Sequence, residues 1–125
     1  MKIILIALTI LSSFKCYSQN NADVIIGKWL KTNKEDLVIE LYKVKDEYMG
    51  KIIRSKDNKK YPVGFIMLEH LKYNPKSKKW GGGKIHDTNS ARSYNATATM
   101  KPDGTLEVSG AFLFFGSKRT FKRVR

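Results

Sequence analysis

From Val24 onward, turn chemistry divides the chain about every 8–12 residues into short segments rich in β-branched and aromatic residues. This rhythm leaves few stretches long enough for an amphipathic helix and points to an all-β meander. Strands are expected over residues 24–30, 37–44, 48–54, 79–86, 93–100, 105–110 and 117–125. Their connections are Asn33-Lys34, Lys45-Asp46-Glu47, Asn74-Pro75-Lys76-Ser77 and Lys101-Pro102-Asp103-Gly104, the Lys45 turn being read as a three-residue hairpin loop. Residues 64–73 fit a strand or a single helical turn, because Phe65, Leu68 and Leu71 have helical spacing while Phe65 to Leu68 is an unbroken apolar run. Tyr94 to Met100 alternates apolar with polar, the mark of a strand with one wet face, and the small Ala96 and Ala98 suggest a crowded interior. Residues 55–62 are charged and polar, as in a solvated loop that adds nothing to the core. With the last segment closing against the first, the expected fold is a single antiparallel up-and-down barrel of about eight strands.

The N-terminus carries a different message. Lys2, the apolar run from Ile3 to Phe14, and Cys16-Tyr17-Ser18 before Gln19 have the order of a cleaved secretory signal. The run is shorter than the about 20 apolar residues that cross a bilayer, and Lys15 stands where a lipoprotein signal wants a small residue. The expected organisation is a signal peptide over residues 1–18 and one β-barrel domain over 19–125, periplasmic or secreted, with no transmembrane segment in the mature chain. Cys16 is the sole cysteine, so the mature domain has no disulfide or thiolate ligand and relies on packing. The chain has 24 basic and 11 acidic residues, and loss of Lys2 and Lys15 leaves the domain at +11, a charge that favours anionic partners.

Gly27-Lys28-Trp29 with the distant Arg123 resembles the Gly-x-Trp and Arg of lipocalin-like (calycin) barrels, and the resemblance implies that the Arg lies across the Trp ring to seal one end of the barrel. Tyr48-Met49-Gly50-Lys51-Ile52, Trp80-Gly81-Gly82-Gly83-Lys84-Ile85-His86-Asp87, Tyr94, Leu106-Glu107-Val108-Ser109-Gly110 and Arg123-Val124 are similar to the secreted bacterial family called domain of unknown function 2147. That likeness implies a small exported calycin-like barrel and no established activity. The chain departs from the family pattern at Thr88-Asn89-Ser90-Ala91-Arg92, where a Gly-containing turn is usual, and in a shorter loop over 56–63.

The chemistry-bearing residues are few. His86-Asp87 is the most catalytic-looking pair, but neighbours on a strand face opposite sides and no sharp nucleophile turn precedes Ser90, Ser93 or Tyr94, so no catalytic residue is assigned. Asp87 is read as holding its own turn. His70 and His86 have no metal-ligand spacing, Glu69-His70 reads as ordinary surface, and no metal or cofactor is expected. The glycines after Trp80 are read as allowing bending or close approach in a small barrel rather than cradling a phosphate. Tyr48, Ile52, Ala96, Ala98 and Phe112 are the expected interior positions, and Tyr48, His86, Asp87, Tyr94 and Phe112 the candidate ligand or loop site.

Ala111 to Phe115 is an apolar run that, as one strand, would show apolar side chains to both faces unless residues 65–71 cover it. Lys118, Arg119, Lys122, Arg123 and Arg125 make a dense basic terminus suited to an anionic lipid or an envelope polyanion. Specific nucleic-acid binding is not expected, because it wants aromatic residues interleaved with basic ones on one sheet face, a demand that Tyr42, Tyr48 and Tyr73 meet only loosely. The sequence thus supports a binding module for a small apolar or amphipathic ligand, with a basic interaction surface as the alternative and a hydrolase last.

Overall fold

The computed structural model describes residues 22–32, 36–88, 90–112 and 115–124, the side chains of 111–117 excepted. The expected signal segment and its cleavage site lie outside the described residues. Eight strands follow in order: β1 (Gly27–Lys31), β2 (Val38–Val44), β3 (Glu47–Arg54), β4 (Ile66–Asn74), β5 (Lys79–His86), β6 (Ser93–Met100), β7 (Leu106–Phe112) and β8 (Phe115–Val124). Each pairs antiparallel with its neighbour in sequence, and β8 pairs back to β1 through Trp29 with Arg123, so the sheet closes into a barrel. Closure satisfies both edges that an open sheet would leave unpaired.

Alternation along the strands fills this barrel. Trp29, Ile39, Leu41, Tyr48, Ile52, Leu68, Leu71, Trp80, Ile85, Ala96, Ala98, Leu106, Val108 and Phe121 are all buried and form one cluster. Each large apolar side chain so placed contributes about 1.5–3 kcal/mol relative to exposure. Small residues make the crowding workable: Ala98 pairs with Trp80, and a Cβ at Gly83 would sit 2.6 Å from the Glu69 carbonyl oxygen.

Several local expectations are corrected. Residues 22–25 form a 3₁₀ turn, and β1 starts only at Gly27, whose φ of 140° redirects the chain. The β2–β3 turn has two residues rather than three, with Lys45 at φ 58°. Of the two readings of residues 64–73 the strand one holds, as β4. Register shifts around Gly50 and a left-handed His70 (φ 60°) place Glu69 and His70 together outside, while Leu68 and Leu71 both face in. These bulges stretch a period of two into a period of three, which is why the segment mimics a helix in sequence. The loop over 55–65 does contribute to the core, since Tyr61 and Phe65 pack against it. The apolar run is divided between two strands, with Phe112 of β7 paired to Phe115 of β8, so it is not one continuous strand. Its side chains lie outside the described residues.

Candidate binding site at the open end of the barrel

The two ends differ in how they are finished. At the closed end the 3₁₀ turn (Ala22–Ile25) lies under the strands and receives donors from several of them. Trp29 Nε1 donates to the Ile25 carbonyl at 2.9 Å and Trp80 Nε1 to that of Ala22 at 3.0 Å. Arg123 donates to the carbonyls of Ile26 and Val24 and holds its guanidinium 4.3 Å from the centre of the Trp29 ring. A Cβ on Gly27 would come within 2.9 Å of that guanidinium, so the glycine leaves its space. Tyr48 donates its hydroxyl to Asp23, which also pairs with Lys43 at 3.2 Å. Burial and this carboxylate push the Tyr48 hydroxyl well above the usual tyrosine range, and the tyrosine hydrogen bond is the main reason Asp23 sits below the usual carboxylate range.

At the open end the inward face of the strands ends in charge. On β1 Lys31 follows Trp29 by two residues, and on β8 Arg119 precedes Phe121 by two, so alternation brings both to the inner face, where they are partly buried. They line a slot of about 50 Å³ with Tyr61, His86, Asp87 and Thr88, floored by Leu37 and Met67. A second recess of about 230 Å³ adjoins it, sharing Leu37 and Tyr61 and reaching Asp36, Ser55, Lys56, Asp57 and Lys60. Tyr61 is held there by its loop: its N–H donates to the Asp57 carbonyl at 2.8 Å, and Gly64 N–H to that of Ile52 at 2.7 Å.

The β5–β6 loop forms the other wall. Asp87 accepts from the Ser90 hydroxyl at 3.1 Å, and its N–H donates to the Arg92 carbonyl at 3.0 Å, so the turn closes on itself without glycine. His86 does not engage Asp87. Its Nδ1 is 2.6 Å from the Ser93 hydroxyl across the β5–β6 pair, and its Nε2 is 3.4 Å from Glu69. That Nε2 is buried without a hydrogen-bond partner among the described residues. The polar row continues through Glu69 to His70, whose Nδ1 is 2.8 Å from Glu47. The Glu47 hydrogen bond raises His70 above the usual histidine value and holds Glu47 below the usual carboxylate one. A third, shallower recess of about 560 Å³ runs outside this row, between Phe65, Ile66 and Arg92. Among the described residues no group of three or more His, Cys, Asp or Glu side chains is arranged to hold a metal ion.

The sequence-derived candidates therefore separate. Gly27, Trp29 and Arg123 meet at the closed end, and Tyr48 joins them there. His86 and Asp87 are at the open end, and the half-buried Tyr94 packs against the core one strand away. Phe112 reaches the open end of β7, but its side chain lies outside the described residues. Sequence reading missed Lys31 and Tyr61, and took Arg119 only as part of a basic terminal surface. The parity of β8 could have found Arg119, since Phe121 fixes which face is inside.

A closed eight-stranded antiparallel barrel with one sealed end is the architecture of the lipocalin-like proteins. The family model described as "Uncharacterized protein conserved in bacteria (DUF2147)" matches residues 27–123, and the chain belongs to that family. Among solved structures, the chain is similar to the protein HP1028 from the human pathogen Helicobacter pylori, described as belonging to the lipocalin family. The TM-score is 0.64 at 17% sequence identity, covering 81% of this chain and 83% of that one. At that identity the likeness establishes the fold alone. No curated protein matches the chain.

Proposed function

We propose that this protein is an exported binding module that holds a small molecule at the open mouth of its barrel and does not engulf it. One observation carries the reading: packed side chains fill the barrel up to Leu37 and Met67, and above them the inner face turns polar around a small slot. Pockets that enclose a whole ligand run to about 300–1,000 Å³. A slot of about 50 Å³ takes a head group and leaves the rest of the molecule at the surface. A lipocalin-like barrel fits small-ligand binding, and the mouth is where this one offers both an apolar floor and polar walls.

Export is part of the proposal, supported by the signal-like order of residues 1–18. Cell fractionation and N-terminal sequencing check it, with Gln19 as the expected first residue of the mature protein. The binding role is tested by native mass spectrometry of the protein purified from its own envelope fraction, followed by organic extraction. A stoichiometric small molecule released on extraction is the expected result. An apo mass that persists after re-exposure to an envelope extract contradicts it.

A further inference from the structure

We infer that the ligand of the mouth is an amphipathic anion: its carboxylate or phosphate head sits in the slot between Lys31 and Arg119, and its apolar tail passes Tyr61 and Leu37 into the adjoining recess. This rests on the mouth-binding reading above and adds the chemical class.

The charge arrangement comes first. Two cations on the inner face, from β1 and β8, converge on a slot whose lining, among the described residues, holds one carboxylate, Asp87. The Ser90 hydroxyl already engages that carboxylate. Arg119 is partly buried over Leu37 and Met67, and its side chain has neither an ion pair nor a hydrogen bond with any described residue. A guanidinium withdrawn from water over an apolar floor lacks the compensation that buried charges need, and an anion supplies it through paired N–H donors. The shape agrees. The slot has the volume of a head group, and the recess joined to it through Leu37 and Tyr61 is more than four times larger. Tyr61, on a loop stapled to β3, forms the wall between the two and presents ring carbon to a passing chain.

The same terminal run reads differently once folded. Arg119 and Arg123 share the strand parity of the buried Phe121 at opposite ends of the barrel, Arg119 partly buried and Arg123 exposed at the rim, while Lys118 and Lys122 have the outward parity. Arg123 is committed to carbonyls and to Trp29, whereas Arg119 has no such commitment.

The test is isothermal titration of the full-length exported protein with four probes: octanoate, octyl phosphate, 1-octanol and octyltrimethylammonium. At least one of the two anions is expected to bind tenfold or more tightly than the alcohol, the scale of a charge-assisted hydrogen-bond pair. Which anion wins distinguishes a carboxylate from a phosphate source. In Arg119→Met that preference is expected to fall below about threefold, through weaker anion binding. Lys31→Met is the second variant in case Arg119→Met fails to fold, and is expected to lower the preference in the same direction.

Octanol binding as tightly as both anions, or the cationic amphiphile binding more tightly than either, overturns the anionic assignment and leaves the mouth reading intact. An anion preference that survives both substitutions also overturns it. If no probe binds with a Kd below about 1 mM, the mouth reading and the anionic assignment fail together.

Discussion

Arg123 and Arg119 stand four residues apart on one strand and one face, and they have opposite roles. Arg123 lies at the closed end, where its donors reach two carbonyls and its plane covers Trp29. Arg119 lies at the open end beside Lys31, on a small slot, with no described partner. Every strong donor described at the closed end, the two indoles and the tyrosine hydroxyl included, is spent within the molecule. Donors satisfied within the molecule make structure, and a guanidinium left without a side-chain partner over an apolar floor is suited to a ligand. On the proposed function, the fold divides its labour: stability at one end, recognition at the other.

The sharpest way to break that division is to attack the closed end. Trp29→Ala removes one of the two buried indoles over the 3₁₀ turn together with its hydrogen bond to Ile25, and is expected to cost about 3–5 kcal/mol. Urea denaturation measures it, and a loss below about 1 kcal/mol would show that the plug is not a source of stability.

The two arginines give the next contrast. Arg123→Met is expected to destabilise by about 1–2 kcal/mol, because two carbonyls and an aromatic face lose a charged partner. Arg119→Met is expected to change stability by no more than about 0.5 kcal/mol, or to raise it, since it removes a charge without breaking a contact among the described residues. Equal losses at both positions would erase the distinction between the ends.

Tyr48→Phe isolates the polar tie of the turn and is expected to cost about 1 kcal/mol at neutral pH. The folded-state pKa of Asp23 is lowered, so its contribution is present above the ordinary aspartate value and fades as pH falls through the lowered one. The penalty of Tyr48→Phe, read from paired denaturation curves, should therefore shrink on acidification.

The smallest effect belongs to the outer row. His70 is raised mainly by Glu47, so their pairing stabilises fully below the ordinary histidine value and is lost as pH rises through the raised one. Glu47→Gln is expected to move the His70 titration, followed by its ring protons in NMR, back toward 6.5. An unmoved titration would show that Glu47 is not what holds the proton on His70.

The fold was legible in the sequence because its signals are local. Alternation in β6 and the turn at Lys101-Pro102-Asp103-Gly104 mark strands and their connection, while closure was expected through the resemblance of the Gly-x-Trp and its distant Arg to lipocalin-like barrels. What stayed hidden depended on bulges and on parity. The bulge at His70 places Glu69, His70 and His86 in one outer row, and no composition rule marks a left-handed histidine in a strand. The mouth was missed for another reason. Read as a basic run, residues 118–125 form one surface feature, whereas strand alternation sends Arg119 and Arg123 in and Lys118 and Lys122 out. Tyr48 looked like a ligand-site residue because it is aromatic and interior, but its hydroxyl belongs to a turn 25 residues earlier in the chain.

The measurement that bears most directly on the mouth as the binding site is a proton–nitrogen NMR titration of the uniformly labelled protein with octanoate and octanol. The account predicts that shifts gather at Lys31, Leu37, Tyr61, Thr88 and Arg119 while the indole signals of Trp29 and Trp80 stay in place. Shifts centred on the indoles or on the outer row from Glu47 to His86, or none with either probe, would contradict it.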